Sequence, residues 1–447
     1  MKRVIPVFLC ICLFFTLASL SGCEKKDVLD PQNPVTLTMW HNFGGDMQQT
    51  MDALIDEFNA TAGKGRGVII SVEAISSSAE LQDALSMIIN GDPGAPKMPD
   101  IVTAYPKTAI QFQSKGLLCD LDHYFSETEL EAYIPEFVNE GRFGDNGLYV
   151  FPVAKSTEIL FVNKTLFDRF AAATGVTPDC FSTFEGIAEA AAKYYAYSGG
   201  KQFYNADSWI NLAQAGMIQQ GANLFNDEKF ALNNAFYKRI WGNCYQPLTQ
   251  GGFAIYDGYS SDLAKTGDIV CSTGSSAGIL FYGDSITLPD GTSEKAEFAI
   301  LPYPVFDGGE KSAIQRGNGL MISKTGEKRE TAAAVFIKWF TDPKQNMRFV
   351  AETGYLPVTE EAFENHMPQT IENADNPNIR QMLGVVTKMN ADYNFFTAPS
   401  FDTFDGISKD YEKRYKTLLA EERDDYLAGG GEDQSAALDK FISELNQ

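Results

Sequence analysis

Between residues 36 and 105 the chain alternates between two hydrophobic periods, and that alternation restricts the folds open to it. Thr36-Leu37-Thr38-Met39 alternates polar and apolar, as a half-buried strand does. After Gly44-Gly45, the residues Met47, Met51, Leu54, Ile55 and Phe58 recur at helical spacing. Val68, Ile70, Val72 and Ala74 return to period two, and Leu81, Ala84, Leu85, Ile88 and Ile89 form a second helical stripe. Gly91-Asp92-Pro93-Gly94 stops that stripe, and Asp100 to Tyr105 reads as a third strand. Strand, helix, strand, helix, strand with short links predicts an α/β fold built on a parallel sheet. Ligands in such sheets bind beyond the carboxyl ends of the strands. Trp40, His41, Asn42 and Tyr105 lie at those ends and are therefore candidate pocket residues.

Helices dominate the later half. Thr331 to Phe340 carries a broad apolar face. Asp342-Pro343 then pairs a capping carboxylate with proline at a first helical position, and Gly354 is the expected left-handed stop. Tyr355-Leu356-Pro357-Val358-Thr359 comes next as an extended link, because proline disfavours helix in the residue before it. This sets Tyr355 on a coil between two helix ends, where it can face a cleft. A charged helix from Ser408 to Leu427 and a terminal one around Ala437 to Leu445 flank Gly429-Gly430-Gly431.

The amino terminus specifies location. Met1-Lys2-Arg3, an apolar run from Val4 to Leu17 and Leu20-Ser21-Gly22-Cys23 form a secretory leader of the lipoprotein kind. A retained membrane helix needs roughly 20 apolar residues. The expectation is cleavage before Cys23, lipid on its sulfur, and a polar tether over 23–34. Loss of Lys2 and Arg3 takes the net charge from −23 to −25. That balance argues against nucleic acid and against docking on anionic lipid. A mature chain of this length exceeds one core and predicts two lobes. Cys119, Cys180, Cys244 and Cys271 are widely spaced, with pairing left open, and His41, His123 and His366 are scattered. No metal or cofactor is expected.

Gly274-Ser275-Ser276-Ala277-Gly278 matches a G-x-S-x-G elbow, so a secreted serine hydrolase using Ser276 and His366 is the rival reading. The elbow requires a long helix directly after the serine, whereas Ile279 to Leu288 is β-prone and runs into a turn. The alternative is that hydroxyl and backbone donors here serve a bound ligand. Among the aromatics, Trp40, Tyr105, Trp209 and Tyr355 neighbour polar or loop-forming residues, where a flat ring can cover the apolar face of a sugar or polyol.

Leu37-Thr-Met-Trp-His41, Phe151-Pro-Val-Ala-Lys-Ser-Thr157, Trp209-Ile-Asn-Leu212, Gly267 to Ser276, Arg316-Gly-Asn-Gly-Leu320 and Thr353-Gly-Tyr-Leu-Pro-Val-Thr359 succeed one another in an order that resembles the extracellular solute-binding proteins of ABC importers, in particular their glycerol-3-phosphate-binding branch. The resemblance implies a two-lobed periplasmic-binding-protein-like fold (type II), each lobe a mostly parallel sheet flanked by helices. The lobes would be assembled from 35–152 and 301–345 (lobe 1) and from 153–300 and 346–447 (lobe 2). It implies ligand contacts from Ser156, Trp209, Ser275 or Ser276, Gly317 and Tyr355, no catalysis, and delivery of a sugar, oligosaccharide or polyol to permease subunits. Two departures weigh against phosphate. Pro106 stands where the branch has an acidic residue, and the stretch from Phe395 to Asp405 lacks the branch's arginine. Lys155 and Arg316 are the cations that could replace it, against an ordinary surface placement. Glycerol phosphate and its diesters stay open as ligands.

Overall fold

The computed structural model describes residues 28–445 apart from 76, 77, 289, 402 and 431–433. The leader and Cys23 lie outside the described residues. The first three strands are β1 (Val35–His41), β2 (Val68–Ala74) and β3 (Ile101–Ala104), with β1 parallel to both neighbours. Helix α1 (Asp46–Ala60) connects the first pair and buries Met51, Leu54, Ile55 and Phe58, the stripe its spacing predicts. Helix α2 (Ser78–Asn90) connects the second pair, and α3 (Pro106–Gln113) leaves β3 with Pro106 in its first turn.

Two long strands then carry the chain across the molecule. Strand β4 (Phe151–Asn163) is buried along all thirteen residues, yet its middle reads Lys155-Ser156-Thr157-Glu158. An interior strand with polar residues at its centre needs partners for every one of them. Five more strands pass through the same sheet: β5 (Tyr204–Ala206), β6 (Cys271–Ser275), β7 (Phe298–Leu301), β8 (Ser312–Ile322) and β9 (Asn394–Phe396). Among the described residues the nine-stranded sheet runs β2-β1-β3-β8-β4-β6-β5, with β7 added to β4 and β9 to β8. Its outer pairs β1/β2, β1/β3, β5/β6 and β8/β9 are parallel, and β4 and β8 are antiparallel to each other. The amino-terminal part of β4 pairs with β8 and, at Lys155, bridges to Leu356, whereas its far end lies between β6 and β7. The sheet therefore has two regions joined by β4 and β8.

Gly317 marks the crossing. It faces Lys155 across the ladder with φ of 103°, and a Cβ there would meet the Ala154 carbonyl and sit 2.6 Å from the Lys155 Cα. No other residue fits such an approach without strain.

Helix α4 (Trp209–Gln219) is buried almost all round. Helix α5 (Glu327–Phe340) packs Phe336 on Phe58, with ring centroids 5.1 Å apart. Helix α6 (Pro343–Thr353) begins and ends where its sequence dictates: the Asp342 carboxylate accepts from the Lys344 amide at 3.1 Å, and Gly354 closes it at φ 76°. It packs on α1, where the Thr50 hydroxyl donates to Glu352 at 2.8 Å. Residues 346–353 thus lie against the first region, not the second, to which a boundary at 346 assigns them. Helix α7 (Phe404–Leu427) carries the charged segment, starting four residues earlier than its charge pattern predicts. Cys119, Cys180, Cys244 and Cys271 are all free.

Candidate functional site

A cavity of about 700 Å³ opens where the crossing strands meet the loops after β1, β3 and β6. Six of the residues nominated by sequence line it: Asn42, whose side-chain oxygen accepts from the Thr103 hydroxyl at 3.0 Å, and Tyr105, Ser156, Ser275, Gly317 and Tyr355. Each is held by identifiable geometry. Tyr105 ends β3 and sits at the N-cap of α3, where Pro106 fixes the exit of the chain. Ser156 and Ser275 project from adjacent strands, and the Ser275 hydroxyl donates to that of Ser156 at 3.1 Å while accepting from the Ala277 amide at 3.3 Å. Tyr355 packs on Phe43 and Phe349, with centroids 5.8 and 5.7 Å away. Its coil is tied to β4 because the Leu356 amide donates to the Lys155 carbonyl at 2.6 Å. Burial raises the pKa of both Tyr105 and Tyr355, so both phenols stay protonated and can donate.

Four nominated residues are elsewhere. Trp40 is inside β1, and its indole donates to Glu73 at 2.7 Å within a core of Leu81, Leu85, Val102 and Phe112. His41 is fully buried, with Nε2 3.6 Å from the Asp52 carboxylate and both nitrogens without a hydrogen-bond partner. Burial lowers its pKa despite Asp52, which favours the neutral ring. The cause of both misplacements is one fact: β1 runs two residues beyond its visible alternation, so the pocket is lined by the next residues, Asn42 to Met47. Trp209 is 1% exposed and packed among Tyr204, Tyr245, Phe253 and Tyr415. It is core, and no ring face is left for a ligand.

Ser276 is buried, its hydroxyl has no hydrogen-bond partner among the described residues, and it opens a short 3-10 turn, not a long α-helix. His366 is half-buried on a separate helical segment, 3.8 Å from Glu361, and does not line the cavity. The elbow therefore has no base, and the hydrolase alternative loses its geometry. Among the described residues no group of three or more His, Cys, Asp or Glu could hold a metal ion.

Arg316 gives the site its electrostatics. Its Nη1 lies 3.1 Å from Glu158, whose side chain is 2% exposed, while the arginine keeps 30% of its own side chain open. Asn211 donates to the same Glu158 oxygen at 2.8 Å. Burial pushes the Glu158 pKa up even though Arg316 and Asn211 pull it down. Asp207 is likewise raised by burial while it accepts from the Ser260 amide at 2.8 Å. Burial works against the Arg316 charge, and Glu158, Tyr105, Asp207 and Tyr259 together outweigh it, so its pKa is raised. Lys155 does not reach the cavity: it is 2% exposed, pairs with Glu140 and lies over the Phe137 ring. Neither nominated cation is an ordinary surface residue, and only Arg316 faces the cleft. Sequence reasoning missed Asp207, Tyr259 and Phe281, which also line the cavity. Tyr259 is 72% and Phe281 49% exposed, large rings left open to water at its rim.

Two sheet regions joined by crossing strands, with a polar cavity at the crossing, define a two-lobed α/β binding protein. The sequence model of bacterial extracellular solute-binding proteins matches residues 53–379. An sn-glycerol-3-phosphate-binding periplasmic protein of Brucella abortus (strain 2308) is 22% identical over 434 residues, covering 92% of each chain. Among solved structures, the cyclic alpha-maltosyl-1,6-maltose binding protein of Arthrobacter globiformis superposes with a TM-score of 0.71 at 20% identity, covering 92% of this chain and 98% of that one. UgpB of Mycobacterium tuberculosis, solved in complex with glycerophosphocholine, gives 0.70 at 19% identity with the same coverage. The chain belongs to the bacterial extracellular solute-binding protein family.

Proposed function

We propose that this protein is the receptor of an ABC importer, held to the outer face of the cell membrane by lipid on Cys23, and that it captures a sugar, oligosaccharide or polyol for delivery to permease subunits. The observation that carries the reading is the convergence of Tyr105, Ser156, Ser275, Gly317 and Tyr355 on one cavity. Hydroxyls and phenols supply directional donors and acceptors for ligand hydroxyls. Exposed Tyr259 and Phe281 supply the flat apolar faces that buried Trp209 cannot. Cavities of roughly 300–1,000 Å³ take drug-sized ligands, so a space of about 700 Å³ has room for a disaccharide or more. The relatives' names point the same way: one binds glycerol 3-phosphate and another a cyclic maltosyl-maltose. Capture involves no covalent step, and ligand contacts from both regions would favour closure about β4 and β8.

A thermal-shift screen of the mature chain against sugars, oligosaccharides and polyols tests this. A ligand at 100 times its Kd adds about 2.7 kcal/mol of stability. Ser275→Ala should weaken the hit without lowering the unliganded Tm by more than a degree or two. Unchanged affinity in that variant would remove the site.

A further inference from the structure

Beyond Tyr105 and Arg316, which line both spaces, the cleft continues into a second cavity of about 780 Å³ with the opposite electrical character. The first cavity sets the carboxyl groups of Asp46, Asp207 and Asp262 against Lys265 and Arg316. The second gathers Lys107, Arg142, Lys409, Lys413 and Lys416 around the shared Arg316. In a chain of net charge −23, a cation-rich chamber runs against composition. Three of these lysines, at 409, 413 and 416, recur four and then three residues apart along α7 and so share one face.

The carboxyl groups beside them are largely committed. Asp405 is shared by Lys107 and by Lys409, the latter at 2.9 Å. Glu412 accepts from the Ile210 amide at 3.0 Å, and burial raises its pKa toward the neutral form. Asp257 meets Lys416 at 3.0 Å but is itself 93% exposed. Glu140 is taken by Lys155, and Arg142 by Asp122. Lys413 has no ion-pair partner among the described residues and is exposed.

We propose that the two chambers bind one elongated ligand, its hydroxylated body in the first and an anionic end, carboxylate or phosphate, against the lysine face of α7 in the second. This rests on the solute-binding reading of the same cleft. In the first chamber Asp46 and Asp262 offset Lys265 and Arg316 while burial raises Asp207 toward its neutral form, so an anion gains little there; the lysines attract it to the second, and charge fixes the orientation of the ligand. The missing late arginine is then no bar to an anionic ligand, since point charges from lysine can hold a phosphate or carboxylate without bidentate geometry.

The test uses the mature chain and three probes: maltotriose (neutral), trigalacturonate (carboxylate) and maltose 6′-phosphate (phosphate). Calorimetry is run at low and at 0.5 M salt. At least one anionic probe should bind more tightly than maltotriose and lose that advantage in salt. The double variant Lys409→Gln, Lys413→Gln should lower the anionic-to-neutral affinity ratio about fivefold to tenfold. Which anionic probe loses affinity identifies the source of the charge. An unchanged ratio in the double variant overturns the proposal. Binding of maltotriose alone, weakened by Tyr355→Ala, overturns it too and leaves the solute-binding reading intact. If none of the three binds, both fall.

Discussion

Replacing Arg316 by Met tests the electrostatic description of the cleft most directly. The substitution keeps length and apolar volume and removes the guanidinium, leaving the Glu158 carboxylate with Asn211 as a hydrogen-bond partner. Breaking one side of a buried pair costs about 3–5 kcal/mol, because the abandoned charge is desolvated and uncompensated. Two observations place the cost at the lower end. Arg316 already has 30% of its side chain in contact with solvent, and Asn211 still donates at 2.8 Å. The expectation is ~3 kcal/mol, which for a chain this long is a fall in Tm of roughly 3 °C. The pH dependence has a definite sign. Burial already raises the Glu158 carboxyl above its ordinary 4.5, and loss of Arg316 raises it further. A carboxyl raised in the folded state favours folding when protonated, so its penalty grows as pH rises through and above 4.5. The deficit of the variant should therefore be larger at pH 7 and shrink toward pH 5. Adding Glu158→Gln removes the orphaned charge while an amide oxygen still accepts from Asn211, so the double variant should recover most of the loss at pH 7. Urea and thermal melts of the ligand-free chain at pH 5 and 7 measure all of this. A deficit under 1 kcal/mol at pH 7, or one that does not change with pH, would refute the claim that a buried ion pair holds the crossing strands.

Trp209→Ala should cost about 3–5 kcal/mol, the usual penalty for deleting a fully buried aromatic, and should leave the ligand affinity of the folded fraction near wild type. A variant of wild-type stability that binds a hundredfold more weakly would return Trp209 to the cleft. Gly317→Ala should destabilise by several kcal/mol, since both φ of 103° and the Ala154 carbonyl oppose a side chain; hydrogen exchange of the β4 and β8 amides would locate the damage at the crossing. Cys23→Ala should abolish labelling by a palmitate analogue and release the protein into the medium, and retained labelling would place the lipid elsewhere.

The residues legible from sequence share a property that the illegible ones lack. The α1 stripe, the Asp342-Pro343 start and the Gly354 stop are local signals, decided within a turn or two of chain, and the structure places them where the local pattern puts them. Tyr355 is legible because a helix stop and a proline place it on a coil, and the tie of that coil to β4 carries it to the cavity. Trp40, His41 and Trp209 are misplaced by sequence because exposure is decided by what arrives from elsewhere. Glu73, from the neighbouring strand, takes the indole of Trp40, and α7 delivers Tyr415 against Trp209. The same holds for Arg316, whose role depends on Glu158 lying almost opposite it on a strand 158 residues earlier in the chain.

The polar run in β4 is itself a sequence signal for the site. Lys155-Ser156-Thr157-Glu158 interrupts a strand that is otherwise apolar, and four consecutive polar residues cannot be buried in a sheet interior unless the fold brings partners to each. Thr157 donates to the Ile314 carbonyl at 3.0 Å, Ser156 accepts from Ser275, Glu158 meets Arg316 and Lys155 meets Glu140. Such a run marks where two regions of a sheet meet around a cavity, because only there are polar partners and ligand available to a buried strand at once. Helix α7 obeys the same logic. Three lysines of one α7 face line the chamber next to that cleft, and under the binding mode proposed above an anion arriving there would relieve the repulsion among them.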